Sequence, residues 1–171
     1  DSTIRIIHEA VKRGHKVSIT HPSNLTIRDT ETLSYCKEIQ VTGKVSQSMA
    51  GFYKSVVFDA DMVALKEFDV IFMRDNPPMD ALVLNFLDSI KDDVFIINAV
   101  DGLREANNKI YTAAYSDENS DFIPATHVSK NIDYLIRIIE ETPSDKMIMK
   151  PLDGYGGSGV IVIEKSAMAN I

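Results

Sequence analysis

The sequence predicts an α/β fold in two parts, with a change of organisation near residue 100. Up to that point, short apolar runs typical of strands alternate with stretches of helical periodicity, which is the pattern of α/β proteins. After it, the order becomes helix, strand, helix and then two strands joined by a glycine-rich loop. The chain has 171 residues, of which 44% are hydrophobic, so it can bury a core.

The first part begins with a helix, a strand and a hairpin. Asp1 or Ser2 can cap a helix that ends at Gly14, because its apolar residues recur at helical spacing. Residues 16–20 alternate as a strand, and residues 28–31 are typical of a turn between two further strands. No element is predicted for residues 42–57. The apolar helix positions are Ile4, Ile7 and Val11, and the hairpin strands are Leu25–Ile27 and Leu33–Val41.

A strand, an amphipathic helix and another strand follow. Residues 68–73 form an apolar run with one charge, as expected of a buried strand, and Pro77-Pro78 interrupts it. The apolar residues after this interruption recur at the spacing of one helix face, which predicts a helix with a buried side. Residues 94–97 form the next predicted strand. The positions on the helix face are Met79, Leu82, Val83, Phe86, Leu87 and Ile90.

The second part is predicted to contain two helices and three strands. Asp101 can cap a helix, residues 123–128 have the composition of a short strand, and residues 131–141 have helical periodicity. The first of these helices runs through Leu103, Ala106, Ile110 and Ala113. The last two strands are Met147–Lys150 and Val160–Ile163.

Charge and cysteine content narrow the classes of function. The net charge is -7 and no basic run is longer than Lys12-Arg13, so we expect neither nucleic acid nor a membrane as a partner. Cys36 is the single cysteine, which excludes an internal disulfide and fits a reducing compartment. No apolar run approaches the roughly 20 residues of a membrane span, and we expect a cytoplasmic protein. Both ends of the sequence have the character of cuts in a longer protein.

The segment Lys-Pro-Leu-Asp-Gly-Tyr-Gly-Gly-Ser-Gly, residues 150–159, carries the clearest chemical signal. Four of the chain's eight glycines fall within six residues there. Backbone without Cβ atoms can bring its N–H groups against phosphate oxygens, and Lys150 would add a positive charge. An ordinary flexible hairpin is the alternative that the loop alone leaves open.

Other glycine-rich phosphate motifs do not fit this context. The string matches G-x-G-x-x-G, but that dinucleotide motif opens a helix, whereas four β-forming residues follow here. A Walker A loop would end in Lys-Ser or Lys-Thr, and the loop has neither. A kinase loop lies near the start of its domain, whereas about 150 residues precede this one. What fits is a glycine-rich loop between two strands that folds over a nucleotide.

Three segments share motifs with one enzyme family and occur in that family's order. Residues 68–80 are similar to a strand that ends in Met-Arg-Lys-Asp-Pro-Pro-Phe-Asp. Residues 97–109 are similar to a segment with Asn-x-Pro, Leu-Arg and Asn-x-Lys, and residues 150–157 match Lys-Pro-Leu-Asp-Gly-x-Gly-Gly. Over residues 1 to 163 the chain therefore resembles bacterial glutathione synthetase, a member of the ATP-grasp superfamily.

The resemblance implies both an architecture and an activity. Residues 1–100 would form a Rossmann-like pre-ATP-grasp domain on the substrate side. Residues 101–171 would form the start of an ATP-grasp α+β subdomain. This is the first nucleotide-binding subdomain, and it would be truncated in this chain. The implied enzyme is an ATP-dependent ligase that joins γ-glutamylcysteine to glycine through an acyl phosphate. The alternatives are another ATP-grasp carboxylate–amine ligase and a non-catalytic nucleotide-binding module. Whether the protein forms a homo-oligomer is left open.

The resemblance also implies the residues of the site, without assigning a catalytic residue. Lys109 and Lys150 would reach the ATP phosphates, and Arg74 would bind the peptide substrate, since a guanidinium suits a carboxylate. A surface charge at a strand end is the alternative for Arg74. The covering loop comprises Gly154, Tyr155, Gly156, Gly157, Ser158 and Gly159. The ligands of Mg²⁺ and the glycine site would lie outside residues 1–171, so these residues alone are not expected to catalyse the reaction.

Two departures from the family motifs leave the peptide specificity open. Asp75-Asn76 stands where the family has Lys-Asp, which reverses a charge beside Arg74. Val100 replaces a proline of the second motif.

Overall fold

The computed structural model describes residues 2–115 and 122–168 of the chain. It forms two compact units, Asp1–Arg74 with Asp80–Val100 and Asp75–Met79 with Asp101–Ile171. Helices and strands are mixed throughout the described ranges, which confirms the α/β class. None of the helices described there is long and apolar enough to cross a membrane.

Among the residues that the structure describes, the first unit contains three α-helices and six strands. Its elements are α1 (Ser2–Lys12), β1 (Ser18–Ile19), β2 (Leu25–Arg28), β3 (Glu31–Val41), α2 (Met49–Ser55), β4 (Val56–Ala64), β5 (Val70–Phe72), α3 (Ala81–Asp88) and β6 (Phe95–Ile97). The remaining elements are α4 (Val100–Glu105), α5 (Ile110–Ala114), α6 (Ile132–Glu141), β7 (Lys146–Met149), β8 (Ile161–Glu164) and α7 (Lys165–Met168).

The long strand β3 is the centre of a four-stranded antiparallel sheet. It pairs with β2 across a two-residue turn at Asp29 and Thr30, whose φ angles are 50° and 70°. Positive φ at both turn residues matches the right-handed twist of the two strands, and aspartate tolerates this conformation better than most residues. The predicted hairpin is thus confirmed. The strand predicted at residues 16–20 is present but shorter, as β1.

The sequence patterns did not reveal the helix α2 or the strand β4. All nine residues of β4 pair with β3, from Val56 opposite Val41 to Ala64 opposite Leu33. Most of β4 is exposed on both faces, and Asp59 interrupts its apolar residues. Backbone pairing with β3 therefore stabilises this strand more than burial does, and such pairing leaves no periodic apolar pattern in the sequence.

Helix α1 matches its prediction and packs through a histidine. The helix ends before Gly14, whose φ of 84° suits a residue without Cβ. The buried His8 donates from Nε2 to the carbonyl of Ser46 at 2.7 Å, and its ring lies 4.6 Å from the ring of Phe52. This contact ties α1 to the start of α2.

Strands β5 and β6 are parallel and flank α3 in the sequence, as a β-α-β unit. Asp80 caps α3 by accepting from the N–H of Leu82 at 2.8 Å. The predicted apolar face is partly wrong, because Leu82 is 64% exposed while Leu84 is only 1% exposed. Leu82 and Leu84 are two residues apart and so point to nearly opposite sides of the helix. The side that is buried contains Val83, Leu84 and Leu87.

Two predictions for the second unit are wrong. The helix predicted from Asp101 to Ala113 is interrupted at residues 106–109, where Asn108 accepts from the N–H of Ile110 at 2.9 Å and starts α5. Asparagine side chains compete with helical hydrogen bonds in this way. The strand predicted at residues 123–128 is irregular, since Pro124 has no N–H to contribute to a sheet.

Helix α6 and strands β7 and β8 confirm their predictions with bounds shifted by one residue, whereas the short helix α7 was not predicted. Asn131 caps α6 by accepting from the N–H of Tyr134 at 3.0 Å. Strands β7 and β8 pair antiparallel, with Lys146 opposite Glu164 and Met149 opposite Ile161. They place the glycine-rich segment in the loop between them.

Cys36 lies in the core of the first unit, which supports a packing role. It is 2% exposed, and burial raises the pKa of its thiol, while the nearby Ser34 hydroxyl lowers it in part. At neutral pH the thiol therefore stays protonated and shielded.

We expect iodoacetamide to alkylate the thiol of Cys36 at least about tenfold more slowly in the native protein than in urea. Equal rates in the two states, measured by mass spectrometry, would show that the thiol is accessible.

Candidate functional site

The glycine-rich loop leaves β7 at Lys150 and enters β8 at Ile161. Gly156, Gly157 and Gly159 have φ angles of 60°, 81° and 69°, a region that residues with Cβ rarely adopt. A Cβ on Gly159 would also lie 2.7 Å from Cγ of Pro151. Positive φ and the close approach to Pro151 therefore both require glycine here, whereas the predicted approach of backbone N–H groups to phosphate oxygens stays a prediction.

The loop exposes the groups that a phosphate needs. Its residues from Tyr155 to Val160 are exposed, and two internal hydrogen bonds shape it, Ser158 N to Tyr155 O at 3.0 Å and Val160 N to Gly157 O at 3.3 Å. The side chains of Tyr155 and Ser158 both face solvent. Such a loop can present backbone N–H groups to an anion without displacing packed side chains.

Lys150 supplies a positive charge at the start of the loop. It directly follows β7 and is exposed, and its ammonium has no hydrogen-bond or ion-pair partner among the residues that the structure describes. Lys146, at the other end of β7, differs in this respect, because it pairs with Glu164 at 2.7 Å. The geometry therefore leaves the charge of Lys150 available to a ligand.

Lys109 lies at the other side of the loop's base, directly before α5. Its ammonium donates to the carbonyls of Pro151 at 2.8 Å, Leu152 at 3.2 Å and Gly154 at 2.5 Å. The sequence prediction gave Lys109 a contact with the ATP phosphates and none with the loop itself. Its predicted contact with ATP phosphates stays a prediction, because the three carbonyls occupy the ammonium's donors here.

Arg74 lies in the first unit, two residues after the end of β5. Its guanidinium donates to the hydroxyl of Ser2 at 2.8 Å and to that of Thr3 at 3.3 Å. The side chain is exposed and forms no ion pair with a carboxylate in the described part of the chain. It is thus held at the start of α1 and keeps its charge available, while its role toward a peptide remains a prediction.

Comparison with known proteins places these residues in a family. A model of the N-terminal domain of prokaryotic glutathione synthetase matches residues 1–104. The chain belongs to the prokaryotic glutathione synthetase family. A second model, of the ATP-grasp domain of prokaryotic glutathione synthetase, matches residues 108–171 and so includes Lys109, Lys150 and the glycine-rich loop.

Curated glutathione synthetases from distant bacteria match along nearly the whole chain. The protein of Buchnera aphidicola from Acyrthosiphon pisum is 32% identical over 97% of the chain and 49% of its own length. That of Synechocystis is 29% identical over 96% of the chain and 52% of its own length, and that of Escherichia coli K12 is 28% identical over 96% and 50%. The chain spans about half the length of the curated relatives it matches.

Asn107 is the asparagine of the Asn-x-Lys motif, and the sequence alone predicted no role for it. Its side chain forms two hydrogen bonds with the backbone of Met79, accepting from the N–H at 2.6 Å and donating to the carbonyl at 2.9 Å. It therefore fixes the segment that follows Arg74 in sequence. Its position two residues before Lys109, in the Asn-x-Lys motif, is the signal that marks it.

Magnesium is implied by the ATP-grasp class, but the described residues do not fit it. Within residues 2–115 and 122–168, no three His, Cys, Asp or Glu side chains are grouped so as to hold a metal ion. The prediction that magnesium ligands lie outside residues 1–171 remains a prediction.

Proposed function

We propose that this glutathione synthetase family member is an ATP-dependent ligase that joins γ-glutamylcysteine to glycine. The observation that carries the proposal is the glycine-rich loop between β7 and β8, at whose start the ammonium of Lys150 has no partner among the described residues. The family and the curated relatives, which are named glutathione synthetases, support the substrates. A cytoplasmic site of action agrees with a reaction that consumes ATP.

The proposed architecture follows the same family. Residues 1–100 form a Rossmann-like pre-ATP-grasp domain on the substrate side, for which the parallel β5-α3-β6 unit is support. Residues 101–171 form the first part of an α+β nucleotide-binding subdomain, for which the hairpin of β7 and β8 is support.

The proposed reaction has two steps. A carboxylate oxygen of the dipeptide takes the terminal phosphoryl group of ATP, and ADP leaves. The amine of glycine then attacks the acyl carbon, phosphate leaves with the electrons of the broken C–O bond, and the nitrogen loses a proton as the amide forms. Phosphoryl transfer of this kind depends on positioning and charge stabilisation more than on covalent help from the protein.

The chain's own residues supply part of that positioning. Lys150 places a positive charge at the phosphates, and N–H groups of the loop other than that of Ser158, which donates to Tyr155, bind phosphate oxygens. Lys109 adds a second positive charge at the loop's base. Arg74 binds a carboxylate of the dipeptide in bidentate fashion, which its fork of N–H donors suits. Magnesium neutralises phosphate charge in this class of reaction.

A different carboxylate substrate is the second candidate, and one observation favours it. Asp75 and Asn76 stand where the family has Lys-Asp, and the carboxylate of Asp75 accepts from the N–H of Asn76 at 2.8 Å. A negative charge next in sequence to Arg74 favours a substrate with fewer carboxylates than γ-glutamylcysteine.

An assay of the intact protein with ATP, γ-glutamylcysteine and glycine tests the proposal. We expect ADP and phosphate in equal amounts, with glutathione detected by mass spectrometry, and no tripeptide when glycine is omitted. ADP release with another carboxylate but not with this dipeptide would favour the second candidate. ATP binding without turnover on any carboxylate would indicate a non-catalytic nucleotide-binding module.

A further inference from the structure

The loop between β7 and β8 has few means of holding one conformation. The four glycines from Gly154 to Gly159 have no side chains to pack, and ordering them is entropically costly. The residues of β7 and β8 on either side are themselves mostly exposed. A contact from outside the loop is therefore needed to fix its shape.

Lys109 provides such a contact from a position far away in sequence. It is separated from its three acceptors by 42, 43 and 45 residues. An ammonium has three N–H donors, and here three carbonyls accept from it, so its hydrogen-bonding capacity is fully used. The backbone N–H of Lys109 also donates to the carbonyl of Leu152 at 3.4 Å. Both the side chain and the backbone of Lys109 therefore contact the start of the loop.

The two lysines of the site thus differ in what they contact. Lys109 is half-buried and bonded to the loop itself, whereas Lys150 is exposed and unpaired within the described residues. Hydrogen bonds from a charged donor are about twice as strong as neutral ones. The ammonium of Lys109 therefore stabilises the loop more than a neutral side chain at the same place would.

We propose that Lys109 is a positioning residue that holds the glycine-rich loop in shape before a nucleotide binds. The purpose of this role rests on the proposed function, whereas the contact is formed between groups of the chain itself. A loop that is already ordered loses less conformational entropy when phosphate oxygens bind to its N–H groups. Lys109 then favours nucleotide binding through the loop, in addition to any direct attraction between its charge and the phosphates.

Hydrogen exchange of the nucleotide-free, intact protein tests this role. We measure the amide exchange of Ser158 and Val160, whose N–H groups are hydrogen-bonded within the loop, relative to that of α6 in the same sample, for the native protein, Lys109→Met, Lys109→Arg and Lys150→Met. Lys109→Met should raise this ratio at least about tenfold, since charge-assisted hydrogen bonds are lost. Lys109→Arg should restore most of the protection, because a guanidinium can also donate to several carbonyls.

Lys150→Met is the matched control, because it removes a charge from the same loop without removing a contact to its carbonyls. Its exchange ratio should equal that of the native protein. An unchanged ratio in Lys109→Met, or a failure of Lys109→Arg to restore protection, would overturn the positioning role. Because no nucleotide is present, either result leaves the proposed ligase activity to be judged by its own assay.

Discussion

Replacing Leu84 with alanine is expected to lower the free energy of unfolding by about 2–5 kcal/mol. The side chain is 1% exposed and lies in α3, on the buried face that also contains Val83 and Leu87. Its removal takes away buried apolar surface and leaves a cavity that the surrounding residues fill only in part. Urea denaturation of the native protein and the variant measures the difference.

Leu82→Ala is the matched control on the same helix. Leu82 is 64% exposed, so its truncation should change the free energy of unfolding by less than about 0.5 kcal/mol. Similar losses for the two variants would mean that α3 is rotated from the orientation described here. The comparison also decides between the helix face predicted from apolar spacing and the face that the structure buries.

Local signals explain which parts of the fold could be predicted from sequence. The hairpin of β2 and β3 followed from turn residues between two apolar runs, and α6 followed from the Asn131 cap and its periodicity. The break between α4 and α5 was missed because two adjacent asparagines form side-chain hydrogen bonds that periodicity does not contain. Strand β4 was missed because its stability comes from pairing with β3.

In the candidate site, too, some features could be predicted from the sequence and others could not. The glycines themselves indicated a loop with positive φ, which Gly156, Gly157 and Gly159 have, but the close approach of Gly159 to Pro151 was not predicted. The motif indicated a contact of Lys109 with the ATP phosphates, but its three carbonyl acceptors lie more than 40 residues away and carry no side-chain signal. Contacts with backbone carbonyls of distant residues cannot be deduced from residue types alone.

Replacing Lys150 with methionine is expected to weaken ATP binding by about 10- to 100-fold, since a charge-assisted contact contributes about 1.5–3 kcal/mol. Methionine keeps an aliphatic stem of similar length, and Lys150 is exposed, so β7 and its pairing with β8 should persist. The variant should therefore lose affinity for ATP without losing stability. Thermal unfolding of the variant without ATP should match that of the native protein.

A calorimetric titration of ATP into the intact protein, comparing Lys150→Met with Lys146→Met, tests most directly whether the glycine-rich loop binds phosphate. Both variants lose one positive charge from the same hairpin, but Lys146 is paired with Glu164, an exposed contact of at most about 1 kcal/mol. We predict that Lys146→Met binds ATP like the native protein, while Lys150→Met loses at least about tenfold in affinity. Equal affinities of the two variants would contradict a phosphate site at this loop.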